Sequence, residues 1–307
     1  MARQTLHSDS QWHELRAKNV GASDVAALFD CGFQSRFQLW HEKRGTLARE
    51  DLTDNERVVL GRCLEGGIAT AAAELYGLNL YKADCYVTDD ATRGLASTPD
   101  YFLSDAGIEI PVEVKNASWG AWRDNWITHE DGSVEPPLRY LLQVQTQLAC
   151  LNAPRGILIA LISGDRIVRC DIPRHQASIE EIRRRVTAFW ESIIDGTEPE
   201  AQLPRDLDAM KRVWGAGEGS IDLSGDPDVE TWIATIAELR ANIKRFETEK
   251  EIIEGRVLKY CVDAGYASVK CNAGRISVKT RPAKEAHVIE RAAQQEKIEM
   301  RITVAKA

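Results

Sequence analysis

Nothing in this chain approaches the roughly 20 consecutive apolar residues needed to cross a bilayer. Its first residues, Met-Ala-Arg-Gln-Thr-Leu-His, also lack the apolar stretch of a secretory signal. Cysteine is sparse and dispersed, with seven residues and no two closer than ten positions. That spacing argues against a CxxC zinc site and against a disulfide framework, and it implies a reducing cytoplasm. A basic excess is missing as well. The net charge is −8, the wrong sign for a protein that coats nucleic acid.

The charge is unevenly spread, however. Ser268 to Ala307 holds nine Lys and Arg against four Glu, so the acidic excess belongs to the residues before it. An acidic body suits an enzyme that grips DNA at a few focal points. It suits any acidic soluble protein equally, so charge selects no function. What is present is material for a core: 44% hydrophobic residues in 307, enough for one large domain or two modest ones.

Over residues 1–205 helical and strand-like patterns alternate, as in an α/β or α+β domain. Ser23-Asp24 before Val25-Ala-Ala-Leu28 reads as a capped helix start, with Arg16 near enough to make it an anion site. Arg57 to Tyr76 reads as a helix with Leu64, Ile68, Ala71 and Leu75 on its apolar face and Gly77 ending it. Ile108 to Lys115 alternates like a strand, and Pro111 suggests an edge or a bulge there. Leu138 to Leu151 reads as a helix with Leu141, Val144, Leu148 and Leu151 inward, followed by two strands joined at Ser163-Gly-Asp165 and a helix from Ala177 to Ile194. Residues 206–228, with Gly215, Gly217, Gly219 and Gly225-Asp-Pro227, resemble a linker. In residues 229–307 a heptad seam runs from Val229 through Trp232, Leu239, Ile243 and Phe246 to Tyr260. It is either an amphipathic helix packed on its own domain or one that meets a partner. A hairpin turning at Asn272-Ala-Gly274 and a basic, mostly helical tail follow.

The most specific feature is Thr98-Pro99-Asp100, then Glu113-Val114-Lys115. Two carboxylates about 4 Å apart would repel by roughly 4 kcal/mol at an effective dielectric near 20. A divalent cation removes that penalty, and hard oxygen donors favour magnesium, with manganese as a substitute. Strand alternation puts Glu113 and Lys115 on one face, so an ammonium stands beside the metal-bound water. A bare Glu-x-Lys is ordinarily a surface ion pair; the upstream Pro-Asp is what makes phosphodiester hydrolysis a competing reading. Glu65 on its helix could face the same metal or simply water. Tyr140, Gln143 and Gln147 share one helix flank, where amides could approach a phosphate without adding negative charge.

Taken in order, Leu-Arg16…Gly-Ala-Ser23, Gly-Arg-Cys-Leu-Glu65, Ser-Thr-Pro-Asp100, Val-Glu113-Val-Lys115 and Tyr140-Leu-Leu-Gln143-Val-Gln resemble the phage exonucleases of the lambda-exonuclease/YqaJ type, within the PD-(D/E)xK nuclease superfamily. The resemblance covers about residues 10 to 200. It implies a restriction-endonuclease-like α/β core, a central mixed sheet flanked by helices, to which the sequence adds a long C-terminal helix and a β-hairpin. It also implies two magnesium ions, one on Asp100, Glu113 and the Val114 backbone carbonyl, with Glu65 near the second. Lys115 and Gln143 would hold the attacking water, and Arg16 and Ser23 would anchor a 5′-phosphate; Arg36 and Arg123 are weaker candidates for DNA contact. Such enzymes degrade one strand of duplex DNA from its 5′ end, often as ring-shaped trimers, and hand the exposed strand to a single-strand annealing protein. The cytoplasm would then be that of a bacterial host. Two other functions remain open: an endonuclease on the same fold, and a non-catalytic DNA-end-binding scaffold. The intact Asp100, Glu113 and Lys115 set weighs against the scaffold.

Overall fold

The computed structural model describes residues 2–5, 8–105, 107–215, 217, 219–272 and 274–277. In chain order its elements are β1 (Ala2–Thr5), α1 (Asp9–Ala17), β2 (Val20–Gly21), a 3-10 turn (Val25–Phe29), α2 (Arg36–Arg44), α3 (Glu56–Tyr76), β3 (Leu80–Lys82), β4 (Cys85–Thr88), β5 (Leu95–Ser97), β6 (Tyr101–Asp105), β7 (Ile108–Ala117), α4 (Trp119–Asn125), β8 (Ile127–Thr128), β9 (Val134–Glu135), α5 (Leu138–Leu151), β10 (Arg155–Ile162), β11 (Arg166–Pro173), α6 (Gln176–Asp195), α7 (Leu207–Trp214), α8 (Pro227–Asp263), β12 (Ser268–Cys271) and β13 (Gly274–Ser277). No helix among the described residues is long and apolar enough to cross a membrane. The chain divides into two compact units, Met1–Gly215 and Ala216–Ala307.

In the first unit the main sheet has the order β11-β10-β7-β6-β3 and is mixed, because β7 and β10 run parallel while the other pairs are antiparallel. A second sheet has the order β1-β4-β5-β2. Each face of the main sheet is covered. Ile110, Val112 and Val114 of β7, with Ile157 and Ile159 of β10, pack on Ile68, Ala69 and Ala72 of α3. Leu158, Ala160 and Ile162 project the other way onto Val144 and Leu148 of α5 and Ile179 of α6. This two-sided burial is why β10 reads as an unbroken apolar run rather than an alternating one.

Several expectations need correction here. Pro111 lies in the central strand and not at an edge; the parallel ladder to β10 begins only at Val112, so the missing N–H costs that ladder nothing. The packed stripe of α3 is Ile68, Ala69 and Ala72, while Leu64 and Leu75 are exposed, because small residues allow the helix to lie close on the sheet. α5 has no single apolar face. Every residue from Leu142 to Cys150 is buried, since its opposite side packs through Leu142 and Cys150 against the 3-10 turn, the second sheet and α6. The expected linker begins too early: α7 occupies part of it and buries Ala209 beside Phe37 and Leu47.

The second unit holds α8 and the hairpin β12–β13. Along the seam Trp232, Leu239, Ile243, Phe246, Ile253 and Tyr260 are all exposed among the described residues. The tail beyond Ser277 lies outside the described residues.

Candidate active site

β5 ends at Ser97, and the turn to β6 carries Asp100; β7 runs beside β6 and carries Glu113, Val114 and Lys115. Asp100 Oδ2 accepts a 2.8 Å hydrogen bond from the Val114 N–H. In an extended strand the N–H and C=O of one residue point to the same side, so the Val114 carbonyl also faces Asp100, past the last β6 pair, Tyr101–Val112. That leaves a backbone oxygen free of the ladder beside two carboxylates.

Glu113 is 2% exposed and fully engaged. Its Oε1 accepts from the Lys115 ammonium and from Gln143 Nε2 at 2.6 Å, and its Oε2 accepts from Gln147 Nε2 at 2.6 Å. Gln143 and Gln147 are one helical turn apart on α5, so both amides reach down onto the same strand residue. Burial, and then the neighbouring Glu113 carboxylate, push the Asp100 carboxyl well above the usual carboxylate range. Burial opposes the charge on Lys115, yet Glu113 and Asp100 together hold its ammonium above the ordinary lysine value. The cluster is therefore two crowded carboxylates with one ammonium between them, short of positive charge.

Such a donor set fits a magnesium-sized cation. Among the described residues no three His, Cys, Asp or Glu side chains converge on one point, so a cation here would take two carboxylates, the Val114 carbonyl and water. Magnesium binds in that manner, keeping several waters. Glu65 is placed differently from expectation. Its carboxylate pairs with Lys82 of β3, which also lies 4.8 Å over the Tyr101 ring, and its charge reaches Asp100 only through space.

The Arg16/Ser23 expectation also changes in form. Val25–Phe29 is a single 3-10 turn whose Asp24 makes no side-chain cap, so there is no helix N-terminus to receive an anion. Instead Asp24 is buried and salt-bridged to Arg16 at 2.6 Å and to Lys43 at 3.2 Å. Arg16 also donates to Ser23 Oγ at 3.1 Å and lies over the Trp12 ring. With Arg49 and Glu42 also in reach, three cations face two carboxylates, which leaves one positive charge in excess. Opposed by burial but held by Arg16 and Lys43, Asp24 stays far below its ordinary pKa. A cavity of about 90 Å³ lined by Trp12, Arg16, Ser23, Ser97, Thr98 and Gln143 runs from Arg16 to Gln143, the amide that donates to Glu113. Its wall includes the buried Ser97, whose hydroxyl meets the Cys150 thiol.

Arg36 and Arg123 are not brought there. Arg36 donates to the Leu28 carbonyl and lines a separate cavity with Arg184 and Arg185. Arg123, on α4, is exposed and paired with its neighbour Asp124. The residues that reading the sequence missed are Thr98, Ser97 and Trp12 as pocket walls, and the grip of Gln147 on Glu113. The i, i+4 repeat of amides on α5 was the signal for the last. Gln145, between them, serves the fold: it donates to the Pro173 carbonyl and accepts from the His175 N–H.

Residues 11–154 match the YqaJ-like viral recombinase domain family. Among solved structures the chain is similar to an alkaline exonuclease, LHK-Exo, from Laribacter hongkongensis, with TM-score 0.50 and 20% identity over 61% of this chain and 93% of that one. The dAMP complex of LHK-Exo gives TM-score 0.48 and 19% identity over the same shares. A phage related exonuclease from Haemophilus somnus 129PT gives TM-score 0.36 and 14% identity over 63% and 91%. The first likeness establishes the fold alone: a mixed sheet between helices, of the restriction-endonuclease-like kind. No protein of curated function matches the sequence.

Proposed function

We propose, for a chain whose residues 11–154 match the YqaJ-like viral recombinase domain, a magnesium-dependent exonuclease that removes one strand of duplex DNA from its 5′ end and leaves a 3′ single strand for annealing. One observation carries the reading: the Asp100, Glu113 and Lys115 cluster shares a cavity wall, through Gln143, with the surplus positive charge at Arg16. A phosphodiester-cleaving centre next to an anion seat is what an enzyme starting at a phosphorylated end requires.

Asp100, Glu113 and the Val114 carbonyl would hold one magnesium, with manganese as substitute, and Glu65 a second once Lys82 releases it. The cation supplies an acidified water and neutralises charge at the phosphate. The chain's own groups do the rest. Lys115, kept charged by its carboxylate neighbours, offsets the negative charge that develops on the phosphate oxygens. Gln143 turns its amide between Glu113 and the attacking water. Gln147 keeps the second Glu113 oxygen fixed. Arg16 and Ser23, with Thr98 across the cavity, hold the 5′-phosphate and so place the first internal linkage at Asp100.

The test is nucleotide release from linear duplex carrying a 5′-phosphate or a 5′-hydroxyl, beside a covalently closed circle. Release is expected from the phosphorylated duplex, lost in Asp100→Ala and Lys115→Ala. Arg16→Ala is expected to erase the preference for phosphate. Equal attack on the circle would make the enzyme an endonuclease and end the present reading. A ring-shaped trimer and a single-strand annealing partner belong to the same proposal; a monomer in sedimentation velocity at micromolar concentration would remove the ring.

A further inference from the structure

At the first turn of α5, Arg139 lies over two aromatic rings, 4.9 Å from the Phe33 centroid and 5.0 Å from the Tyr140 centroid. Among the described residues it has no ion pair and no hydrogen bond, and its Nε is buried without a partner. Most other arginines of the first unit give their guanidinium to a carboxylate or a carbonyl, as Arg155, Arg174 and Arg183 do. A half-buried cation held by rings alone keeps its N–H groups available for an acceptor from outside. The Tyr140 ring has a second cation beside it, Lys115 at 5.3 Å. One ring thus separates the catalytic ammonium from the unpaired guanidinium.

Phe33 completes the feature. Its side chain is 83% exposed, yet its backbone is pinned. The Cys31 N–H donates to the Ala26 carbonyl, Arg205 donates to the Gly32 carbonyl, and buried Ser35 caps α2. Gly32 lies so close to the 3-10 turn that a Cβ there would stand 2.8 Å from the Ala27 nitrogen. A large aromatic displayed on a fixed tip, with Arg139 against one face and the rest exposed, offers its other ring face to something flat.

We propose that Phe33, Arg139 and Tyr140 form a seat for one unpaired nucleotide of the strand being cut, resting on the nuclease reading above. The Arg139 guanidinium takes a backbone phosphate through its free N–H groups. Phe33 stacks on the attached base, a contact indifferent to sequence because every base has a π-face. Tyr140 holds Arg139 in line with Lys115, so the strand passes from the seat to the catalytic cluster.

The experiment is fluorescence polarisation of the full chain with a labelled, 5′-phosphorylated single-stranded oligodeoxynucleotide, in EDTA and over a range of salt. Arg139→Ala is expected to weaken binding and to lower the slope of log K against log salt by about 0.7, one phosphate on a single strand. Phe33→Ala is expected to weaken binding about tenfold with the slope unchanged, and Phe33→Trp to restore it. Melting temperatures of all variants should stay near that of the parent. If the parent binds and cleaves while Arg139→Ala and Phe33→Ala keep its affinity and slope, the seat does not exist although the nuclease reading stands. If the parent neither binds the oligonucleotide nor digests duplex, the nuclease reading itself fails.

Discussion

Gln147 sits at no reacting atom, yet it holds one oxygen of the residue on which the proposed chemistry turns. Its Nε2 donates to Glu113 while its own Oε1 is buried without a partner among the described residues. Replacing it by leucine removes a buried unsatisfied acceptor and frees Glu113 to rotate. Gln147→Leu also leaves the buried Glu113 Oε2 without its donor and is expected to cost about 1–3 kcal/mol of stability, to lower kcat about 10- to 100-fold and to leave KM for DNA almost unchanged; steady-state kinetics on phosphorylated duplex measures the split. Asp24 makes a second case at this scale. Its pKa in the folded protein lies below the unfolded carboxyl value of about 4, so its ion pairs stabilise the fold above that pH and are lost as pH falls. Asp24→Asn strands Arg16 and Lys43 without a counter-charge and is expected to cost about 3 kcal/mol at pH 7. In urea titrations the gap between variant and parent should narrow as pH drops through about 4.

Elements were legible where local chemistry fixes them. Gly77 ends α3 in left-handed conformation, and the β10–β11 hairpin turns through Ser163 and Gly164 with positive φ, both as the sequence suggests. Strand alternation made the shared face of Glu113 and Lys115 legible, whereas the place of Asp100 and Gln143 beside them was implied only by the family resemblance. What was not legible depends on neighbours distant in the chain. Nothing near Leu64 says that Ala69 and Ala72 are the residues touching the sheet, and nothing near Leu141 says that α5 is enclosed on both sides. Lys82 capturing Glu65 and Asp24 capturing Arg16 are likewise contacts between elements. Gly94 shows how tight such contacts are. It has φ +83, and a Cβ there would stand 2.3 Å from Nε1 of Trp190, which donates to the Gly94 carbonyl. Gly94→Ala combines left-handed strain with a clash against a large ring, and is expected to lower stability by about 2–4 kcal/mol in denaturant unfolding.

For the whole molecule, the charge pattern sets how DNA is held. A net charge of −8, with its basic excess confined to Ser268–Ala307, means that on the proposed reading the first unit would hold DNA mainly through the few cations that face the cavity and its mouth. Binding of linear duplex by the full chain is expected to follow a shallow salt dependence, with a slope of about 2–4, rather than the steep one of proteins that neutralise many phosphates. Polarisation titrations between low and moderate salt read this directly. A steep slope would place many more contacts on the DNA than the first unit offers, and the basic segment after Ser268 would be where to look for them.

The crossover between β7 and β10 has a consequence for how the enzyme comes into being. Asp100, Glu113, Lys115, Gln143 and Gln147 all belong to the stretch from the end of β5 to the end of α5, so closing that one loop assembles the cutting centre. The seat at Arg16 and Ser23 faces Gln143 only after a far longer loop has closed. On the proposed reading, selectivity for an end would be completed later than the means of cutting. A partly folded chain with the first loop closed and the second still open would, on that reading, cleave DNA without regard to ends.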